Sequence, residues 1–142
     1  MKIPYKKLVY ILFISFSLLH AAYGKICSPA DAEVADTMVD KLNSWTEVDR
    51  TFKLFKQCDD GSIADGNSEA IARLLVDKWD TLPVLAKLIK RNPPLKLFVL
   101  NHINTTLDTN DLEKIKQLST SACPERLDSL CVDLKKAATD AI

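Results

Sequence analysis

The sequence predicts an all-α fold, namely a single compact domain of about six to seven helices around a buried central helix, stapled by disulfide bonds. The central helix is the stretch Pro93 to Ile103, P-P-L-K-L-F-V-L-N-H-I, which is apolar nearly all round when wound at 100° per residue. A short helix of this kind is expected to be buried. The flanking segments are amphipathic with one apolar face each, so they are expected to wrap it.

The first 24 residues have the pattern of a secretory signal peptide. Residues 1–7 carry three lysines and no acid, residues 8–19 are an apolar run, and H-A-A-Y-G follows. This order is typical of export signals, and the run is too short for a confident membrane span. We therefore predict cleavage after Gly24, which divides the chain into a signal peptide, 1–24, and an all-helical domain, 25–142. The exported product would be periplasmic in a Gram-negative cell, with no membrane partner after cleavage.

Removal of the signal changes the charge balance. Three of the 19 basic residues are lost and all 19 acidic residues remain, so 16 minus 19 leaves a net charge of about -3. Nucleic acid is therefore not expected as a partner, because phosphate binding needs a clustered basic surface. The remaining chain has the size of one domain with one core.

Capping patterns mark the first two helices. S-P-A-D from Ser28 places an N-cap, a proline and an acid in the order of a helix start, and the apolar periodicity continues to about Leu42. S-W-T-E from Ser44 is a capping box that starts a second helix running to about Gln57. The short junction between the two predicts a helical hairpin.

The later helices are predicted from periodicity and from breaking residues. Gly61 is expected to close a turn before the third helix. The predicted helices run from Ser62 or Asp65 to Asp80, from Thr81 to Arg91, through the central stretch, from Asp108 or Thr109 past Leu118, and from Pro124 past Ala138.

The four cysteines, Cys27, Cys58, Cys123 and Cys131, all lie beyond the signal, where an even count predicts disulfides. The open end of the first hairpin favours Cys27 with Cys58, which leaves Cys123 with Cys131. Eight residues on a continuous helix span about 12 Å, beyond the roughly 7 Å Cα limit of a bridge. The second pairing therefore requires the last helix to begin nearer Arg126, and pairings of Cys58 with Cys123 or Cys131 stay open.

Residue chemistry predicts a protein that is not an enzyme and has no cofactor. His102 is the single histidine beyond the signal, and its place on an apolar helix face predicts a buried, hydrogen-bonded side chain. One histidine does not make a zinc set when the cysteines are bridged. No Gly-rich phosphate loop, Ser/His/Asp set or spaced carboxylate pair can be made out in the sequence.

An acidic stripe is the candidate partner-binding surface. It comprises Asp59, Asp60, Asp65 and Glu69, all of which are expected to be exposed. The alternative is a solvated helix face on which Arg73 pairs with acids one turn away.

Four stretches carry a resemblance to a known family. They are C-D-D-G-S-I from Cys58, R-L-L-V-D-K-W-D-T-L-P from Arg73, F-V-L-N-H-I from Phe98, and C-P and L-C at Cys123 and Cys131. This pattern resembles the type VI secretion amidase immunity family. The resemblance implies an exported all-helical protein, often a homodimer, that blocks a papain-like cysteine peptidase of peptidoglycan by placing a loop in its cleft. No stretch matches that loop, so no inhibitory residue is assigned.

Two other functions remain open. A secreted carrier for a small apolar ligand would contain an apolar cavity of about 300 to 1,000 Å³. A periplasmic structural or chaperone-like module would expose an apolar patch of several hundred Å². Leu97 and Leu100, on the second apolar face of the central helix, are the place to look for such a patch or for a homodimer interface.

Overall fold

The computed structural model describes residues 25–142 and confirms the predicted all-α fold. No strand occurs within this part of the chain, and the signal peptide predicted for residues 1–24 lies outside it. The α-helices are α1 (Pro29–Val39), α2 (Trp45–Phe55), α3 (Gly61–Asp77), α4 (Leu82–Arg91), α5 (Pro94–Asn101), α6 (Thr109–Ser121) and α7 (Asp128–Ala141). Single 3₁₀ turns, Lys56–Cys58 and Trp79–Thr81, follow α2 and precede α4.

Three predicted helix starts are confirmed by side-chain caps. The Ser28 hydroxyl accepts from the backbone N–H of Asp31 at 3.1 Å, and that of Ser44 accepts from Glu47 N–H at 3.3 Å. The Asp108 carboxylate accepts from the backbone N–H of Asn110 at 2.7 Å. Each cap satisfies a backbone donor that has no partner inside its helix, which fixes where α1, α2 and α6 begin.

Two predicted boundaries are wrong, and the backbone shows why. Gly61 does not stop a turn but begins α3, at a φ of +52° that favours glycine, while Asp60 accepts from its N–H at 2.8 Å. Pro124 does not open the last helix, because Arg126 adopts a φ of 64° and interrupts the helical path. The helix α7 therefore starts at Asp128.

The core forms where the helices approach closely. Gly66 in α3 lies against Val39 of α1, and a Cβ at Gly66 would come within 2.8 Å of the valine Cγ2. The helices α6 and α7 pack extensively against each other. The largest fully buried side chains are those of Trp45, Leu42, Ile71, Leu74, Leu75, Leu82, Leu85, Leu95, Ile115, Leu134, Val48 and Val99.

 

Two disulfides staple the domain with the favoured pairing. Cys27 and Cys58 are bridged with their Cα atoms 4.9 Å apart, and Cys123 and Cys131 with theirs 6.1 Å apart. The second bridge is possible because α7 begins late, so the two cysteines do not lie on one continuous helix. Among residues 25–142 no cysteine is free, and no helix has the length and apolar character needed to cross a membrane.

The central helix is buried on one face only, so the expectation that it is covered all round is wrong. In α5, Leu95 and Val99 are 0% and 1% exposed, whereas Leu97 is 64% exposed. Leu100 is half-buried, and Lys96 forms an ion pair with Asp133 of α7. Because α2, α4 and α7 cover only the inner side of this short helix, its outer side faces solvent.

Candidate functional site

A buried polar network lies where the end of α5 meets the start of α3. His102, which caps α5, is 5% exposed. Its Nε2 lies 3.0 Å from Oδ2 of Asp59, and its Nδ1 lies 2.8 Å from the Ser68 hydroxyl. The prediction of a buried, hydrogen-bonded His102 is confirmed, and its partners hold α5 against α3.

Asp59 is the charged member of this network. Its other carboxylate oxygen accepts from the Asn67 side chain at 2.9 Å. Burial alone would raise the pKa of Asp59, but hydrogen bonds from His102 and Asn67, with the charge of His102, more than offset it. The pKa of this carboxyl therefore lies below its ordinary value.

The three side chains form a Ser/His/Asp set, which the sequence did not reveal. The residues lie 34 and 43 positions apart along the two links, so no local motif contains them. Ser68 is 3% exposed, and its hydroxyl also lies 3.0 Å from the carbonyl oxygen of Ala64. A neutral His102 can donate to Asp59 and accept from Ser68, and a protonated one can donate to both while Ser68 donates to Ala64. The hydrogen bonds of the network are thus satisfied in either protonation state of His102, and they join α3 to the end of α5.

The acidic stripe is only partly available to a partner. Asp59 is half-buried and bonded to His102, so the expectation that all four acids are exposed is wrong for this residue. Asp60 is exposed, but one of its oxygens caps Gly61. Asp65 and Glu69 are exposed on α3, and they are the two acids of the stripe that carry no structural hydrogen bond among the described residues.

Glu69 also lines an acidic groove between α3 and α6, with a volume of about 390 Å³. Three further carboxylates line it, those of Asp77, Asp108 and Asp111. The Arg73 guanidinium, which lies in the same groove, donates to the carbonyl of Leu42 at 3.1 Å. The acids of α3 therefore continue into a concave surface that the sequence pattern did not indicate.

A cationic face, formed by Arg50 and Lys53 of α2 and Lys87, Lys90 and Arg91 of α4, is the second charged surface. All five residues are exposed. The two helices meet through the buried Asp49 carboxylate, which accepts from Lys53 at 2.6 Å and from Asn92, the residue that ends α4, at 2.9 Å. The signal for this face is present in the sequence, since residues 81–107 contain no acid.

A groove lined by both apolar and polar side chains separates α5 from α7 and has a volume of about 440 Å³. It is lined by four apolar residues, Leu100, Ile103, Ala137 and Ala141, and by polar ones that include the charged Asp133, Lys136 and Asp140. The groove is open to solvent. It is the feature of the described chain that comes nearest to the cavity expected of a carrier.

Within residues 25–142, no group of three or more His, Cys, Asp or Glu side chains is placed to hold a metal ion. Comparisons with models of protein families, with curated proteins and with solved structures gave no match. The fold and the sites therefore define a class of protein: a disulfide-bonded all-α domain with a buried polar network and separate charged faces.

Proposed function

We propose that this chain is an exported protein that acts by binding another protein, and that it is a periplasmic immunity protein. Its target would be a secreted amidase of the papain-like cysteine peptidase class, which cleaves peptidoglycan. Steric blockage of that enzyme would protect the producing cell. The proposal rests on the family resemblance and on how the residues behind it are arranged.

The observation that carries the proposal is that two of the resembling stretches contact each other and a third is bonded to the residue next to the fourth. C-D-D-G-S-I and F-V-L-N-H-I are joined through Asp59 and His102 at 3.0 Å. The stretch from Arg73 is tied to the residue just before the C-P stretch, because the Trp79 indole N–H donates to the carbonyl of Ala122 at 2.7 Å. Each contact lies beside a disulfide, at Cys58 or at Cys123. Residues that cooperate in this way form a shared scaffold, which is a physical reason for them to occur together.

The disulfides support export. Bridges of this kind form and persist in oxidising compartments such as the periplasm, and are rare in the cytosol. The two bridges hold both ends of the domain, which gives a binding protein a pre-organised surface. Pre-organisation reduces the entropy lost on association.

The acidic surface of α3 is the first candidate for contact with the enzyme. Asp65 and Glu69 are exposed, and Glu69 leads into the groove with Asp77, Asp108 and Asp111. Such a surface would attract a basic effector and increase the association rate more than the final affinity.

Co-expression tests the proposal. The full chain, with its signal, should prevent lysis by a periplasm-directed amidase encoded beside its gene, and a variant that lacks residues 1–24 should not. The double variant D65K/E69K should protect less at limiting expression. A control with the same change in charge, E33K/E125K, alters exposed acids elsewhere and should protect normally. Lysis that the exported chain does not affect would refute the immunity proposal.

A carrier of small apolar ligands is the second candidate, and the groove between α5 and α7 favours it. Its volume of about 440 Å³ lies in the range of ligand sites. Titration with an environment-sensitive apolar dye tests it. Saturable binding that the variant A137W blocks would support a carrier, and no saturable binding would exclude this groove.

A further inference from the structure

Most cations of the cationic face form no ion pair with another described residue. Arg50, Lys87, Lys90 and Arg91 form no ion pair with another described residue. The Asp49 carboxylate, which lies between the two helices, is 5% exposed and already bonded to Lys53. The positive charge of this face is therefore directed to solvent.

The cationic face lies apart from the grooves and also carries exposed apolar side chains. None of its five residues lines the groove between α3 and α6 or the groove between α5 and α7. Two apolar side chains on the same helices are also exposed, Leu54 at 45% and Val84 at 43%. Cations with exposed apolar side chains among them are the combination by which amphipathic helices bind at a lipid interface.

We propose that the cationic face binds peripherally to the surface of an anionic phospholipid bilayer. A fluid layer of headgroups can rearrange to contact cations and apolar side chains that project from two helices, and the exposed Leu54 and Val84 favour such a layer over a purely polar acidic partner. Each Lys or Arg near an anionic membrane increases partition by about fivefold. The proposal departs from the expectation that the exported domain has no membrane partner, and it is independent of the immunity proposal.

The net charge of the exported domain makes the proposal testable. Because that charge is about -3, attraction to an anionic surface must come from a local face and not from the whole molecule. Two variants with the same net charge then separate the effect of the local face from the effect of the net charge. K87E/K90E/R91E reverses three cations of the face, and K41E/K114E/K135E reverses three exposed lysines elsewhere.

Co-sedimentation of residues 25–142 with vesicles is the experiment. The domain should bind vesicles of phosphatidylglycerol and phosphatidylcholine at low salt, should bind phosphatidylcholine alone far less, and should be released by about 0.5 M salt. K87E/K90E/R91E should lower partition by about 100-fold or more, because three favourable contributions are lost. K41E/K114E/K135E should lower it by less than about fivefold. Circular dichroism should show both variants to be as helical as the wild type.

Three results would overturn the proposal. Equal losses in the two variants would show that net charge decides binding. Equal binding to neutral vesicles would show apolar adsorption. No binding to anionic vesicles at low salt would leave an acidic protein as the partner of this face.

Discussion

His102 and Asp59 are joined by a hydrogen bond of 3.0 Å that ties the end of α5 to the residue beside the Cys27–Cys58 bridge. The bond is largely shielded from water, since the His102 side chain is 6% exposed and that of Asp59 is 22% exposed. A covalent link and a polar link therefore meet at one corner of the domain, and this corner should be stable only while both are intact.

The first prediction concerns this pair. Replacing Asp59 with Asn or His102 with Phe should each lower the free energy of unfolding by about 1 to 3 kcal/mol, because a buried partner is left unsatisfied. The double variant should lose less than the sum, with a coupling energy of about 1 kcal/mol or more. Urea unfolding measures the cycle. D65N is the control, since Asp65 is exposed and should be near neutral; strict additivity would mean that the bond contributes nothing.

The second prediction is a pH dependence. The pKa of Asp59 is lower in the folded state than the ordinary value of about 3.9 expected when unfolded. Its contribution to stability is therefore present above that ordinary value and is lost as pH falls through the folded pKa. Between about pH 5 and pH 2 the wild type should lose more unfolding free energy than D59N. Parallel curves for the two proteins would contradict this assignment.

The third prediction ranks the disulfides. The Cys27–Cys58 bridge spans 31 positions and the Cys123–Cys131 bridge spans 8. In the chain-entropy model these closures stabilise by about 3.7 and about 2.6 kcal/mol. C27S/C58S should therefore lower the melting temperature more than C123S/C131S. The reverse order would show that contacts made by the folded bridges outweigh the entropy of the unfolded chain.

The fourth prediction follows from the one-sided burial of α5. Leu95→Ala should cost about 2 to 5 kcal/mol, because Leu95 is fully buried and its truncation leaves a cavity. Leu97→Ala should change stability by less than about 0.5 kcal/mol in a monomer, because Leu97 is 64% exposed. A large cost at Leu97 that grows with protein concentration would instead reveal a homodimer interface.

Local signals predicted much of this fold correctly. Ser28, Ser44 and Asp108 could be identified as caps because a cap acts within three residues of itself. The first hairpin favoured the disulfide pairing that the structure shows, although pairings of Cys58 with Cys123 or Cys131 stayed open. The helix start predicted at Pro124 is wrong because Arg126 adopts a left-handed backbone conformation. No residue type in this segment requires that conformation, so the sequence does not predict it.

The candidate sites were harder to predict, because they depend on contacts between distant residues. The exposure of Leu97 is decided by where neighbouring helices end, and periodicity does not contain that information. In the sequence, nothing distinguishes Asp59 from the neighbouring surface acids, because its contact with His102 is made across 43 positions of the chain. The acid-free segment of residues 81–107 indicates the α4 part of the cationic face. Its continuity with the α2 part depends on the buried Asp49, which bonds to both helices.

The most direct test of the account is inhibition of a purified enzyme. Residues 25–142, oxidised and monodisperse, should be mixed with the purified amidase encoded beside the gene, and release of peptidoglycan stem peptides should be followed. The account predicts that inhibition is complete near one inhibitor chain per enzyme and that D65K/E69K slows its onset. Undiminished peptide release at a tenfold excess of the folded domain would contradict the proposed function.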